Sequence, residues 1–298
     1  MLQIVESAGW QILWLIPYRA MYFSLYALGW FCLLRVYDVD RRAGLGYLLW
    51  VTTVREAIDR LLPVASVGGG VVGVRLVRWR GLAGVPVSAT VIVEIILTLI
   101  VSYAFTALGL LLMLDHASAG EQYRRFLFSF VVSLPVPVIA LLLLRYGSVF
   151  RRLESILSPM VGISALSETA ASLDHEIRAC FSRWRSLSAA GILQFAALLV
   201  GSFEIWFILR LFGHPVDVGT AIILESMNQA MRHLAFVVPA GLGVQEATLV
   251  LFGHALGISG ELALALSMAK RVREILCGLP ALISWQWLEG QRLRSLRG

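Results

Sequence analysis

Phe236-Val237-Val238-Pro239-Ala240-Gly241-Leu242-Gly243-Val244-Gln245-Glu246 is the stretch whose reading decides the fold. A proline and two glycines interrupt an apolar run, and an acid follows at once. Neither residue type continues a helix comfortably. The flanking sequence is apolar enough for a bilayer, where broken backbone is tolerated only if it is buried in protein or lines a cavity. A second version, Pro63-Val64-Ala65-Ser66-Val67-Gly68-Gly69-Gly70, lies 173 residues earlier.

The 298-residue chain is 58% apolar and 15% charged, with a mean hydropathy of +0.79. Soluble domains carry roughly 25% charge. The run from Val87 to Leu114, broken only by Glu94, exceeds the roughly 20 residues that cross hydrocarbon. These features define an all-α polytopic membrane protein.

Of 25 basic residues, Lys270 is the one lysine; the net charge is +6. The arginines fall in short loops between apolar segments, the pattern of an orientation signal and of contact with anionic headgroups. That distribution excludes nucleic acid as a partner. Cys32, Cys180 and Cys277 are far apart, and neither CxxC nor Cys/His ligand spacing occurs. The five histidines form no HExxH, and no Ser/His/Asp or phosphate-loop pattern appears. The expectation is therefore no catalytic set, no metal and no cofactor. The N-terminal residues lack the features of a cleaved secretory signal.

Residues 1–17 read as an interfacial helix or half of a broken span, and 18–34 as a short span. The segment 44–62 is an apolar helix carrying Arg55, Glu56, Asp59 and Arg60, whose i, i+4 spacing lets Arg55 meet Asp59 and Glu56 meet Arg60. The turn at Pro63, Gly68, Gly69 and Gly70 leads into 71–77, too short to span. Spans follow at about 87–114, 126–144 and 189–209. Between the last two, the polar connector 146–187 repeats Leu166, Leu173, Ile177, Phe181 and Trp184 on one helix face, expected along the membrane surface. The segment 218–238 again mixes apolar residues with Glu225, Asn228, Gln229, Arg232 and His233. After the Pro239, Gly241 and Gly243 turn come 244–257 and a last span at about 262–288. The arginine-rich tail is expected in the cytoplasm.

A shift of 173 residues lays Gly68 on Gly241, Gly70 on Gly243, Gly84 on Gly257 and Arg60 on His233. Three spans separate the two broken-helix hairpins, and an odd number brings the second in from the opposite side. The single membrane domain 1–298 thus reads as an inverted-topology repeat, with halves at about 44–114 and 218–288. Its re-entrant hairpin tips meet near the midplane, where transporters of this architecture bind substrate.

Arg55 to Arg75, with Leu62-Pro63 and Gly69-Gly70, resembles the first signature of the membrane domain of lysylphosphatidylglycerol synthases and their flippase-like relatives. Pro239 to Glu246 resembles the second, "PGGxGxxE", with Gly257-Ile258-Ser259 and Arg271 as its continuation. Ala240 stands where that motif has its first glycine, and Glu56 to Asp59 where the family commonly has a small polar residue. No soluble aminoacyl-transfer domain lies in this sequence, so the resemblance does not imply synthase activity. It implies lipid movement across a bacterial-type inner membrane and, for stand-alone members, a link to hopanoid or other isoprenoid-lipid pathways. Implied partners are an anionic phospholipid or isoprenoid lipid, and lipid-biosynthesis enzymes.

The candidate substrate-binding residues are Arg55, Arg60, Arg75, Glu94, Glu225, Asn228, Arg232, Glu246 and Arg271. Guanidinium groups match phosphate with paired donors, and a carboxylate in the first turn after Gly243 gains from the helix N-terminus. Several have a structural alternative: Glu246 as a cap, Arg75 as an orientation signal, Arg55 and Arg60 as charges neutralised within their own helix, and Glu94, like Glu204 outside this set, as glue between helices. The functional reading is a lipid transporter; the alternatives are an intramembrane headgroup-modifying enzyme and a non-catalytic subunit of a lipid-biosynthesis complex.

Overall fold

The structure is a computed structural model that describes residues 11, 14–62, 68–116, 121–152, 165–235, 238 and 243–295; the side chains of 115–116, 121–123 and 165–168 lie outside the description. Pro63, Pro239, Gly241 and residues 1–10 therefore fall outside the described residues, as do 153–164 of the connector.

The described residues form helices joined by short turns. They are α1 (Leu15–Leu34), α2 (Leu45–Leu61), α3 (Gly68–Arg78), α4 (Gly84–His116), α5 (Glu121–Ser133), α6 (Pro135–Tyr146), α7 (Ala165–Ser182), α8 (Trp184–Leu211), α9 (Val218–Leu234), α10 (Val244–Ala255) and α11 (Gly260–Ser295). Among the described residues, three helical stretches are long and apolar enough to cross a membrane: Gly84–Leu114, Arg124–Tyr146 and Trp184–Leu211. They coincide with the spans read at 87–114, 126–144 and 189–209. The middle one is divided at Leu134 because Pro135 brings no N–H to the ladder, yet Leu134 keeps helical angles and the direction persists.

Local chemistry sets the ends of the shorter helices. Leu62 precedes a proline and is extended (φ −102°, ψ 147°), which stops α2. Asp217 starts α9 by accepting the Thr220 N–H at 3.0 Å. Gly243 enters α10 at φ +80°, a left-handed conformation open to glycine. Gly257, at φ +77°, closes it: its N–H reaches His254, and Ile258 reaches back to Gly253 at 2.8 Å, a Schellman end. Gly253, one turn earlier, packs against Ala263 and Ile258.

Two series of four helices match in order and packing. Helices α2 and α9 are both 17 residues long and lie 173 positions apart; α3 and α10 have 11 and 12 residues, α4 and α11 have 33 and 36. At 1.5 Å per residue, the 11- and 12-residue helices rise roughly 17 Å against a hydrocarbon core of about 30 Å. Helix α2 packs on α3 and α3 on α4, as α9 packs on α10 and α10 on α11. The long helices exchange: α2 lies on α11, and α9 on α4. Helices α1 and α8 complete the pattern, packed on each other, with α1 on α2 and α8 on α9. The helices that complete it, α1 and α8, lie outside the segments 44–114 and 218–288.

Close approaches make this packing dense. A Cβ on Gly69 would stand 2.5 Å from the Arg55 carbonyl, one on Gly73 2.6 Å from the Arg55 side chain, and one on Gly278 2.6 Å from Leu61. Two apolar cores result. One gathers Leu209, Ile223, Leu249, Phe252 and Leu266; the other gathers Trp30, Leu48, Val51, Val77 and Val87. In the connector, Leu173, Ile177 and Phe181 pack into a smaller cluster with Ala89, Val93 and Leu141. Trp184 is exposed at the start of α8, and the Leu166 side chain lies outside the description.

Candidate functional site

Helices α1, α2, α8, α9 and α11 converge on a polar region. Two adjoining narrow clefts share Arg19, Arg60, Arg273 and Glu274. Together their linings hold five cations (Arg19, Arg60, Arg232, Lys270, Arg273) against four carboxylates (Glu56, Glu204, Glu225, Glu274). A charge at bilayer depth costs at least about 2.5–3.5 kcal/mol on insertion scales, so such groups face partners or a cavity.

On the first-series side, one oxygen of Glu56 accepts from Arg19 at 2.7 Å and from Arg60 at 2.8 Å. Arg19 also lies over the rings of Tyr22 (4.0 Å) and Phe23 (4.6 Å), which hold its guanidinium in place. On the second-series side, Arg273 Nε stands 2.6 Å from Glu204 Oε1. That N–H is not aimed along the line, and neither atom has a directed hydrogen bond, so the contact is Coulombic. Lys270 Nζ donates to Glu225 Oε2 at 2.6 Å, and Gln229 donates to the other oxygen at 2.9 Å.

A chain of charges connects the Gly243 turn with the cleft. Glu246, in the first turn of α10, accepts from Ser267 Oγ and Arg271 Nε, each at 3.3 Å. Arg271 reaches Glu274 at 3.4 Å, and Arg232 and Arg273 stand 3.9 Å from the same carboxylate. Several buried atoms in the region have no protein partner: Arg19 Nε, Arg60 Nη1, Asn228 Oδ1 and Glu246 Oε2. Native interiors pair such groups, so each calls for a partner, water included, that the described side chains do not supply.

Of the candidates read from sequence, Arg60, Glu225, Asn228 and Arg232 line this cleft, with Glu246 and Arg271 leading to it. Arg55 and Glu94 meet each other elsewhere, at 2.8 Å between α2 and α4, with the guanidinium 4.6 Å over Trp30. Arg55 does not close on Asp59. That carboxylate instead accepts the Gly69 N–H at 2.9 Å, at the first turn of α3. The Glu56–Arg60 pair does close. Arg75 lies apart from the cleft, with an exposed side chain paired to Glu289 near the end of α11. Of the turn residues, Gly68, Gly69 and Gly70 form the first turn of α3, and Gly243 starts α10.

Sequence reading missed Arg19, Glu204, Arg273, Glu274 and the pairing of Lys270 as members of one site. One signal was present: Lys270-Arg271-Val272-Arg273-Glu274 puts four charges into five residues between two uncharged runs, 262–269 and 275–288. Among the described residues, no group of three or more His, Cys, Asp or Glu side chains is placed to hold a metal.

Fold and site together define an integral, all-helical membrane protein with a charged cleft enclosed between two packed helix series. The chain belongs to the family whose model is described as the lysylphosphatidylglycerol synthase TM region, which matches residues 1–280. It is a lipid-related integral membrane protein. No curated protein and no solved structure matches it.

Proposed function

We propose that the protein moves a lipid with an anionic polar headgroup, a phospholipid or an isoprenoid phosphate, between the leaflets of a bacterial-type inner membrane. The observation that supports this most directly is the cleft itself: the cations that line it outnumber the carboxylates five to four, and Arg60 retains a buried N–H without a protein partner. A phosphate offers that donor two or more oxygens in place of the carboxylates that now hold the guanidinium groups. The matched helix series, with α2 and α9 exchanged onto the long helix of the other series, support an inverted repeat whose short helices α3 and α10 re-enter the membrane. In this reading the headgroup passes between the series while the tails stay in lipid, and the ion pairs re-form behind it. The arginine-rich C-terminal end is assigned to the cytoplasm.

The test is purified protein in liposomes with fluorescent phospholipids and an isoprenoid phosphate. Leaflet exchange faster than in empty vesicles, with the probe's mass unchanged, is expected. Exchange no faster than in empty vesicles across the panel overturns the proposal. A new lipid mass after incubation identifies a headgroup-modifying enzyme instead.

A further inference from the structure

We propose that Glu225 and Lys270 form the proton-binding element of the cleft, so that each phosphate-ester anion entering the site brings one proton with it. The inference rests on the headgroup reading above and adds its energy coupling.

Both side chains are buried and meet at 2.6 Å, and Lys270 is the only lysine in the sequence. The remaining cations of the cleft are arginines, whose planar forks bind a carboxylate along one edge and keep further N–H groups for another anion. An ammonium is a compact point donor. When an incoming anion takes Lys270 Nζ, the Glu225 carboxylate loses its counter-ion in a buried setting, and such a group relieves its charge by taking a proton. The step balances: the ion pair plus the anion plus one proton from water becomes an ammonium–anion pair plus a neutral carboxyl.

The surroundings suit the product. Gln229 donates to Glu225 Oε1, an oxygen that remains an acceptor after protonation of the other. The new O–H needs an acceptor, and Asn228 Oδ1 is buried in the same cleft with no donor on it. No other group substitutes for the pair. From the neighbouring elements, Arg19 and Tyr22 of α1, Arg60 of α2 and Glu204 of α8 face the cleft or adjoin Glu225. Glu56 of α2 is held by Arg19 and Arg60, Glu204 by Arg273, and Glu246 of α10 by Arg271. On the pair's own helices, Arg232 and Arg273 stand at Glu274, and His233 Nδ1 is bonded to the Gln229 carbonyl. Helix α4 contributes no charged side chain to the described lining.

The experiment measures binding of dihexanoyl phosphatidylglycerol, a phosphodiester that does not itself titrate near neutrality, to the full chain in detergent. A parallel arm uses glycerophosphoglycerol, the deacylated water-soluble counterpart. One linked proton makes wild-type affinity fall close to tenfold per unit as pH rises between about 6 and 8. Glu225→Gln and Lys270→Arg are expected to bind with a flat profile. The charge-conserving Lys270→Arg carries the test if Glu225→Gln does not fold. Linked uptake in the lipid arm alone identifies a lipid headgroup; uptake in both identifies the phosphodiester as sufficient. A flat wild-type profile, or a sloped profile kept by both variants, overturns the coupling while leaving transport standing. Absence of binding in both arms overturns the headgroup site and the coupling together.

Discussion

The Asp59 carboxylate accepts the backbone N–H of Gly69 at 2.9 Å, tying the last turn of α2 to the first turn of α3. A Cβ on Gly69 would stand 2.5 Å from both Asp59 Oδ2 and the Arg55 carbonyl oxygen, so the bond requires glycine. Losing an N-terminal carboxylate acceptor costs about 0.5–2 kcal/mol. Asp59→Ala is expected to lower the melting temperature in detergent by several degrees. Gly69→Ala, which also forces the backbones apart, should lower it further. A Gly69→Ala protein that melts with the wild type would show that the α2–α3 approach is looser than the structure has it.

Arg55 and Glu94 make the second prediction. Both side chains are nearly buried, 13% and 6% exposed, and they meet at 2.8 Å. Removing one partner leaves an uncompensated charge and costs about 3–5 kcal/mol, whereas replacing both by apolar residues of similar volume is close to neutral. Arg55→Met and Glu94→Leu singly should each reduce the folded yield, and the double variant should recover it. Additive losses in the double-mutant cycle would count against the pairing.

The contact between α4 and α9 is equally specific. A Cβ on Gly109 would fall inside the Ser226 hydroxyl, and overpacking of this kind costs about 1–3 kcal/mol. Gly109→Ala should destabilise the protein and slow leaflet exchange, and Ser226→Gly in the same chain should restore both. Rescue tests the exchanged packing of the two series directly, since α9 and α4 belong to different ones. Failure of the rescue would put the strain elsewhere.

Much of this architecture was legible in the sequence because its signals are local. Apolar length marked the three spans, and the charged 17-residue helices before each breaker turn marked α2 and α9. The membership of α1 and α8 was not legible. Each is a mostly apolar helix, with Arg19 in α1 and Glu204 in α8 as isolated interior charges, and what places it in a series is packing on a helix far away in the chain. The cleft was half legible for the same reason. Glu225, Asn228 and Arg232 share one helix face, a pattern visible in a window of eight residues. Arg19 and Glu56 are 37 residues apart and Lys270 and Glu225 are 45 apart, separations no periodicity reports. The i, i+4 rule failed for Arg55 and Asp59 because Glu94 and the Gly69 N–H, both brought by tertiary packing, are stronger competitors for those two side chains.

Just beyond α1, Tyr37 donates its hydroxyl to Glu176 of the connector at 2.6 Å and lies 3.4 Å from Cys180 Sγ, fixing α7 against the end of α1. Burial, reinforced by hydrogen bonds with Cys180 and Glu176, pushes the phenol above its ordinary value. Because the folded value is raised, the contribution is fully present below the ordinary phenol range of about 10 and is lost only as pH rises beyond it toward the folded value. Tyr37→Phe should therefore cost about 1 kcal/mol, by the same amount at pH 6 and pH 9. A difference that shrinks between those two values would mean that the phenol ionises in the neutral range.

The last prediction separates the buried cleft from the membrane surface. Arg60 and Arg232 line the cleft, and Arg60 Nη1 has no protein partner. Arg75 is 58% exposed and pairs with Glu289, a contact of the kind that contributes about 0–1 kcal/mol. A guanidinium that takes a headgroup phosphate contributes a charge-assisted bond of about 1.5–3 kcal/mol, which corresponds to a tenfold or greater change in rate. Arg60→Gln and Arg232→Gln are thus expected to slow leaflet exchange at least tenfold, with folded yield checked by size exclusion. Arg75→Gln should stay within about twofold of wild type on the same scale. Loss of exchange in Arg75→Gln with retention in Arg60→Gln would move the headgroup path out of the cleft and onto the face where α3 meets the end of α11.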